Sequence, residues 1–218
     1  MRKVLFCFLV FVLLFCSGCG DIIGWIITPG PYDRKISPDF KIKDRAKEKV
    51  MVFVDQVSGS GDIGVQKRAE LRDTIGALLV KRAGVKRKYM IIKSEVDMID
   101  SGGAGYLNYS PIKIAAEAGA GLVLYTRVLE HKLFPSGPKG FYIGSLDTGS
   151  VIYDTKLERV VWPLDGKPKV VRMEVAIENK GEEETIEKLM TSTAHGIVRH
   201  LYNIRYQNFK TSLEKVSY

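Results

Sequence analysis

Apolar positions in this chain recur with two different spacings, and the changes from one to the other mark out its elements. Val50-Met51-Val52-Phe53-Val54 is an uninterrupted apolar run closed by Ser58-Gly59-Ser60-Gly61, the pattern of a strand buried on both faces. From Val65 to Ala83 the period lengthens: Leu71, Ile75, Leu78 and Leu79 fall on one helical face, Arg68, Arg72 and Lys81 fall on others, and Gly84 supplies a C-cap. Tyr89-Met90-Ile91-Ile92 predicts a second strand. Ser110-Pro111 opens a short helix, with Ser as cap and Pro at the first helical position, an apolar stripe of Ile114, Ala115 and Ala118, and an end at Gly119.

The middle of the chain is strand-like. Residues 122–133 are rich in β-branched and aromatic side chains, and after the turn Pro135-Ser136-Gly137-Pro138 a new run begins at Phe141-Tyr142-Ile143. Ser150-Val151-Ile152-Tyr153 and Arg159-Val160-Val161-Trp162 flank a polar turn and read as a hairpin. Val171, Met173, Val175 and Ile177 alternate with Arg172, Glu174 and Ala176, a strand with one wet face. Glu182-Glu183-Glu184 opens a final helix, where carboxylates suit the macrodipole, and Ile186, Leu189, Met190, Ala194, Ile197, Val198, Leu201 and Tyr202 form its stripe. The fold class expected is α/β (α+β): a mixed sheet of about five or six strands with three helices against it. A single domain over 49–205 then carries a loose tail over 206–218.

Ahead of that domain the pattern is different. Arg2 and Lys3 precede the apolar run Val4 to Phe15, and Ser17-Gly18 leads into Cys19, which together have the layout of an export signal. The arrangement resembles the bacterial lipoprotein signal. That resemblance implies cleavage between Gly18 and Cys19, removal of residues 1–18, and a lipid such as palmitate on Cys19. An ordinary cleaved signal and an uncleaved anchor are the alternatives. An anchor needs roughly 20 apolar residues, and extending the run through Ile22-Ile23-Gly24-Trp25-Ile26-Ile27 would bury Asp21. Residues 19–48 read as lipid anchor and tether, broken by Thr28-Pro29-Gly30-Pro31 and Ser37-Pro38 and charged from Lys41 to Lys49. Gly20 is not the Asp that favours inner-membrane retention, so an outer-membrane, periplasm-facing location is expected over an inner-membrane one.

Composition narrows the chemistry. The net charge is +8, and losing Arg2 and Lys3 with the signal leaves +6. The excess is local, at Lys81-Arg82, Lys86-Arg87-Lys88, Lys167 and Lys169. In an exported protein it points to solvated loops or anionic envelope surfaces, and no nucleic-acid partner is expected. No cysteine follows Cys19, which removes disulfides, thiolate metal sites and a Cys nucleophile from consideration. The glycine-rich stretch Asp100 to Tyr109 matches no phosphate-binding spacing. His195 and His200, five residues apart, sit about 140° apart around a helix and do not converge, and His131 stands in a strand with Glu130 pointing the other way. Ser145 and Ser150 have no evident partner base, and no Gly-x-Ser-x-Gly occurs. Tyr142, Tyr153 and Trp162 suit sheet packing. No catalytic residue, metal or cofactor is expected, and the chain is read as a non-enzyme.

The order of elements, the helix end Ala115-Ala116-Glu117-Ala118-Gly119-Ala120-Gly121-Leu122-Val123-Leu124, and the hairpin Tyr153-Asp154-Thr155-Lys156-Leu157-Glu158-Arg159-Val160-Val161-Trp162 resemble a group of envelope lipoprotein domains. The group comprises the N-terminal domain of the Tol propeller protein, the curli-secretion lipoprotein and the lipoprotein activator of penicillin-binding proteins. It carries Gly-Ala-Asp before the strand and Asp-Thr-x-x-Gly-x-Val-Val-Trp in the hairpin. Here Gly121 stands for the Asp, and Arg159 falls near the hairpin glycine without matching it. The resemblance covers about residues 50–203 and implies a non-catalytic periplasmic module binding an envelope protein or assembling with its own copies. The surfaces expected to carry partners are the loop of Tyr106 and Tyr109 and the loop from Phe134 to Phe141. A lipid or small-molecule carrier, or an envelope hydrolase without a recognisable motif, is the alternative.

Overall fold

The computed structural model describes residues 35–45, 47–57, 61, 63–91, 110–136, 141–177 and 181–205. In chain order the elements are β1 (Lys35–Ile36), β2 (Val50–Gln56), α1 (Gly64–Lys81), α2 (Pro111–Glu117), β3 (Leu122–Pro135), β4 (Tyr142–Asp154), β5 (Arg159–Trp162), β6 (Lys169–Ile177), α3 (Gly181–Val198) and β7 (Ile204–Arg205). β2 runs parallel to β3, from Val50 beside Leu122 to Gln56 beside Val128, a pairing that needs the crossover in which α1 and α2 lie. β3 turns back into β4 as a long antiparallel hairpin. The far edge of β4 is shared, with β5 at the Ile152–Asp154 end and β6 from Tyr142 to Ser150. This five-stranded mixed sheet with three helices is the α/β architecture the sequence predicts.

The sheet has a helix layer on each face, and the layers are unequal. On one face Val50, Val52, Val54, Leu122, Leu124, Val128, Leu146, Ile152, Val171 and Val175 pack against Leu71, Ile75 and Leu79 of α1 and Leu189, Ala194 and Ile197 of α3. The other face carries a smaller core, Met51, Val123, Tyr125 and Val151 with Ile91 and with Ile114 and Ala115 of α2. Ser110 caps α2 through its hydroxyl, which accepts the Ile112 N–H.

Three expectations need correction. Tyr89-Met90-Ile91-Ile92 is not a strand over its described residues: Arg87–Tyr89 forms a 3-10 turn, and Met90 makes one parallel bridge to Val50. The preceding Lys86-Arg87-Lys88 has no apolar side chain to lay on the sheet, so pairing stops at the start of β2. Arg72, placed by periodicity on a wet face of α1, is buried and ion-pairs with Asp73. The run that begins at Phe141–Ile143 continues unbroken as β4 to Asp154, and its end pairs with β5 as the predicted hairpin. Residues 35–48, read as tether, pack on the domain: Ile42 is 1% exposed within the main core, β1 pairs with β7, and the N–H groups of Asp39 and Phe40 donate to the His200 carbonyl.

Candidate binding surface

Strand register places cross-strand partners on the same face, so the composition of each face can be read row by row. On the face opposite α1 and α3, the half near β5 is covered by α2. Beyond it the rows run outward along β3, β4 and β6. Arg127 pairs with Gly149 and Gly149 with Val170; Glu130 with Asp147 and Asp147 with Arg172; Lys132 with Ser145 and Ser145 with Glu174; Phe134 with Ile143 and Ile143 with Ala176. Arg127, Glu130, Lys132, Phe134, Val170, Arg172, Glu174 and Ala176 are all exposed. This surface is therefore an ordered platform, with charged rows leading to an apolar row at the hairpin end.

Its side chains are held by one another. Arg172 forks onto Asp147 with Nε–O distances of 3.0 and 2.8 Å, and Lys132 pairs with Glu130 at 2.8 Å. At the covered end the Tyr125 hydroxyl donates to Asp55 at 2.7 Å and accepts from Arg127 Nε at 2.9 Å. Burial, followed by the Asp55 carboxylate, pushes the Tyr125 phenol well above its ordinary range against the pull of Arg127, which keeps it a donor. The Tyr125 ring also stacks on Phe53 at 6.2 Å and meets Tyr153 at 6.4 Å. The bulge at Leu129 shifts the β3 register between Val128 and Glu130. Leu129 and Pro168 close over Gly149, where an added Cβ would meet Pro168 at 3.2 Å.

The hairpin motif serves as a joint. Asp154 Oδ1 accepts the N–H groups of Lys156 and Leu157, and Thr155 Oγ1 donates to the Ala120 carbonyl at 2.6 Å. Arg45 then bridges Asp154 (2.5 Å) and both oxygens of Glu48 (2.8 Å each). Burial pushes the Asp154 carboxyl up, but the bonds from Arg45, Leu157 and Lys156 outweigh it and hold the group below its ordinary value. Gly121, where the resemblance expects Asp, leaves its space to Glu48: a Cβ there would sit 3.0 Å from Glu48 Cβ and Oε2. The left-handed corner of the turn is Glu158, at φ 51°, one residue before Arg159.

Phe134 stands on the platform at 45% exposure, whereas Phe141 is half-buried just ahead of β4, its carbonyl accepting the Ser136 N–H. Tyr106, Tyr109, Gly18 and Cys19 lie outside the described residues. The histidines are separated by the fold. His131 faces the α1/α3 side in a row with Leu146 and Met173, His195 is on α3, and His200 Nδ1 lies 2.9 Å from Asp39 Oδ2. No group of three or more His, Cys, Asp or Glu suited to a metal occurs among the described residues. The platform rows were missed in the sequence because a one-residue bulge inverts the facing of everything after Leu129. The alternation of Arg172 and Glu174 was the one readable sign of a wet face.

No family model matches the chain, and no curated protein matches its sequence. Among solved structures it is similar to a lipoprotein from Neisseria meningitidis, with 17% identity over 69% of this chain and 98% of the other at a TM-score of 0.44. It is similar to the PelC dodecamer from Paraburkholderia phytofirmans, with 15% identity over 78% and 97% at a TM-score of 0.41. A third likeness is to the LpoB C-terminal domain from Salmonella enterica, with 15% identity over 61% and 84% at a TM-score of 0.30. All three scores lie below 0.5, so these are loose likenesses of arrangement.

Proposed function

We propose that this chain is a lipid-anchored protein of the bacterial cell envelope, facing the periplasm, whose domain is a non-catalytic protein-binding or assembly module. The observation that carries the reading is the platform beyond α2: an exposed sheet surface of fixed charge pairs ending in Phe134. Side chains already held by partners lose little freedom on docking, which favours recognition of another protein. The signal ending in Gly18-Cys19 supports the anchor, and Gly20 supports the outer membrane.

A photo-crosslinking residue at Phe134, and another at Glu174, tests the module in cells. The expected result is a discrete adduct from both positions and none from Lys47, an exposed residue remote from the platform in sequence. The adduct's mass separates a second copy of this chain from a different envelope protein. Absence of a discrete adduct at both platform positions overturns the reading. Palmitate labelling that persists in Cys19→Ala overturns the anchor.

A further inference from the structure

Leu164 is 93% exposed, the most exposed of the large apolar side chains among the described residues. It sits in the β5–β6 turn Pro163-Leu164-Asp165-Gly166-Lys167-Pro168. The turn is closed and not a loose loop: the Gly166 N–H donates to the Pro163 carbonyl at 3.0 Å, and Gly166 takes φ 71°. Asp165, itself exposed, folds its carboxylate back along the turn to accept the Lys167 N–H at 3.1 Å. Corner positions of such turns ordinarily take polar residues, Gly or Pro. A leucine held outward there departs from the local rule, with nothing in the fold gained by it.

The position of the turn gives the departure a meaning. Trp162, the residue before it, lies with its ring 6.0 Å from His200. Lys169, the residue after it, reaches Asp39 at 3.5 Å. Asp39 and His200 are also among the residues through which the N-terminal segment joins the fold, and in chain order Asp39 precedes Ile42 and Arg45. The turn is therefore at the end of the domain where the chain arrives from Cys19. Residues 20–34 span at most about 54 Å even fully extended, at ~3.3–3.6 Å per residue, so a lipid on Cys19 keeps the point where the chain enters this end within that reach of the bilayer. Lys167 adds positive charge beside the leucine, and the carboxylate of Asp165, which lies between the two, is engaged by the Lys167 N–H.

We propose that this turn is a second membrane contact, in which Leu164 enters the headgroup–acyl boundary and Lys167 meets anionic lipid phosphate. A lipid on Cys19 together with a basic apolar contact holds the domain to the bilayer at two points. The contact fixes which end of the domain faces the bilayer and turns the opposite end toward the periplasm. It rests on the lipid-anchor reading above.

Because no cysteine follows Cys19, Leu164→Cys places a single free thiol in the processed chain. An environment-sensitive fluorophore on that thiol is compared with the same probe on Leu157→Cys, exposed in the turn at the other end of β5. Lipidated full-length protein is returned to vesicles of phosphatidylethanolamine and phosphatidylglycerol with no other protein present. The expected result is blue-shifted, brighter emission at 164, quenched by lipids carrying a spin label near the headgroup and weakened by high salt, with unshifted emission at 157. Protein that floats with the vesicles but gives the same emission at both positions overturns the contact and leaves the anchor standing. Protein that carries no palmitate and does not float overturns the anchor, and this inference with it.

Discussion

At the residue scale the hairpin after β4 shows how one unfavourable conformation is accommodated. Glu158 is held at φ 51°, a left-handed geometry that places its Cβ against the neighbouring carbonyl. Its side chain is exposed, and the turn is fixed around it by Asp154 and Thr155. Glu158→Gly is expected to raise stability by about 0.5–1 kcal/mol, because removing the Cβ relieves the strain by more than the added freedom of the unfolded chain costs. Urea unfolding measures it, and a loss of stability would mean that the Glu158 side chain contributes a contact larger than the strain. The same turn shows what a residue pattern can and cannot convey. Asp154-Thr155 is recognisable as a turn signal from sequence, and counting on from it puts the motif's glycine at Glu158, but the left-handed strain that Glu158 bears there is seen only in the backbone angle. Gly121 is comparable: its partner Glu48 lies more than seventy residues earlier, so no local pattern links them.

At the scale of elements, legibility followed the length and regularity of each pattern. α1, α3 and β6 repeat one spacing over several turns or alternations, and their buried apolar stripes were readable as such, whereas the buried polar positions Arg72, Ser192 and Thr193 were not. The 35–48 strap was not, because only Phe40 and Ile42 within it are large and apolar between Ser37-Pro38 and Lys49. Its hold on the fold is nonlocal: β7 pairs with β1, the His200 carbonyl takes two N–H groups, and Asp154 takes Arg45. Arg45 is raised above its ordinary value by its bond to Glu48 and then to Asp154, so the guanidinium stays charged throughout the accessible range. The strap is thus an element of the core, and Ile42→Ala is expected to cost about 2–5 kcal/mol. Lys43→Ala, at the exposed neighbour, should change stability by less than about 0.5 kcal/mol. Denaturant midpoints for the two variants decide the matter: equal midpoints would return residues 35–48 to the tether. Of the platform, the wet face of β6 was legible and the opposing rows of β3 were not. Facing along a strand is inherited from residue to residue, and the bulge at Leu129 breaks that inheritance.

At the scale of the whole molecule, all three histidines are shifted in the same direction. Burial lowers His131. Burial, then Arg82 and Lys81, lower His195. Burial, then Lys169 and Arg199, lower His200, with Asp39 opposing. Arg199 Nε donates to His200 Nε2 at 3.5 Å, which leaves Nδ1 to carry the proton toward Asp39 in the neutral ring. Each histidine is therefore neutral in the fold at a pH where the unfolded chain, with an ordinary value near 6.5, is taking up protons. Unfolding then absorbs protons, and stability rises with pH across this window. The contribution is fully present above the unfolded value and is lost as pH falls through the lower folded values. Asp154 adds a second step in the same sense at lower pH, since its depressed carboxyl must be protonated before the Arg45 joint is released. The expected outcome is a thermal midpoint that declines from about pH 8 to about pH 5, ahead of the carboxylate range. A variant with His131, His195 and His200 all replaced by Gln should keep its midpoint over that interval and lose it only at lower pH. A wild-type midpoint that is flat from about pH 8 to about pH 5 would show that the buried imidazoles are protonated as easily in the fold as in the unfolded chain. His200 and Asp39 join the N-terminal segment to the end of the domain that carries Leu164, so that end includes one of the groups through which acid weakens the fold.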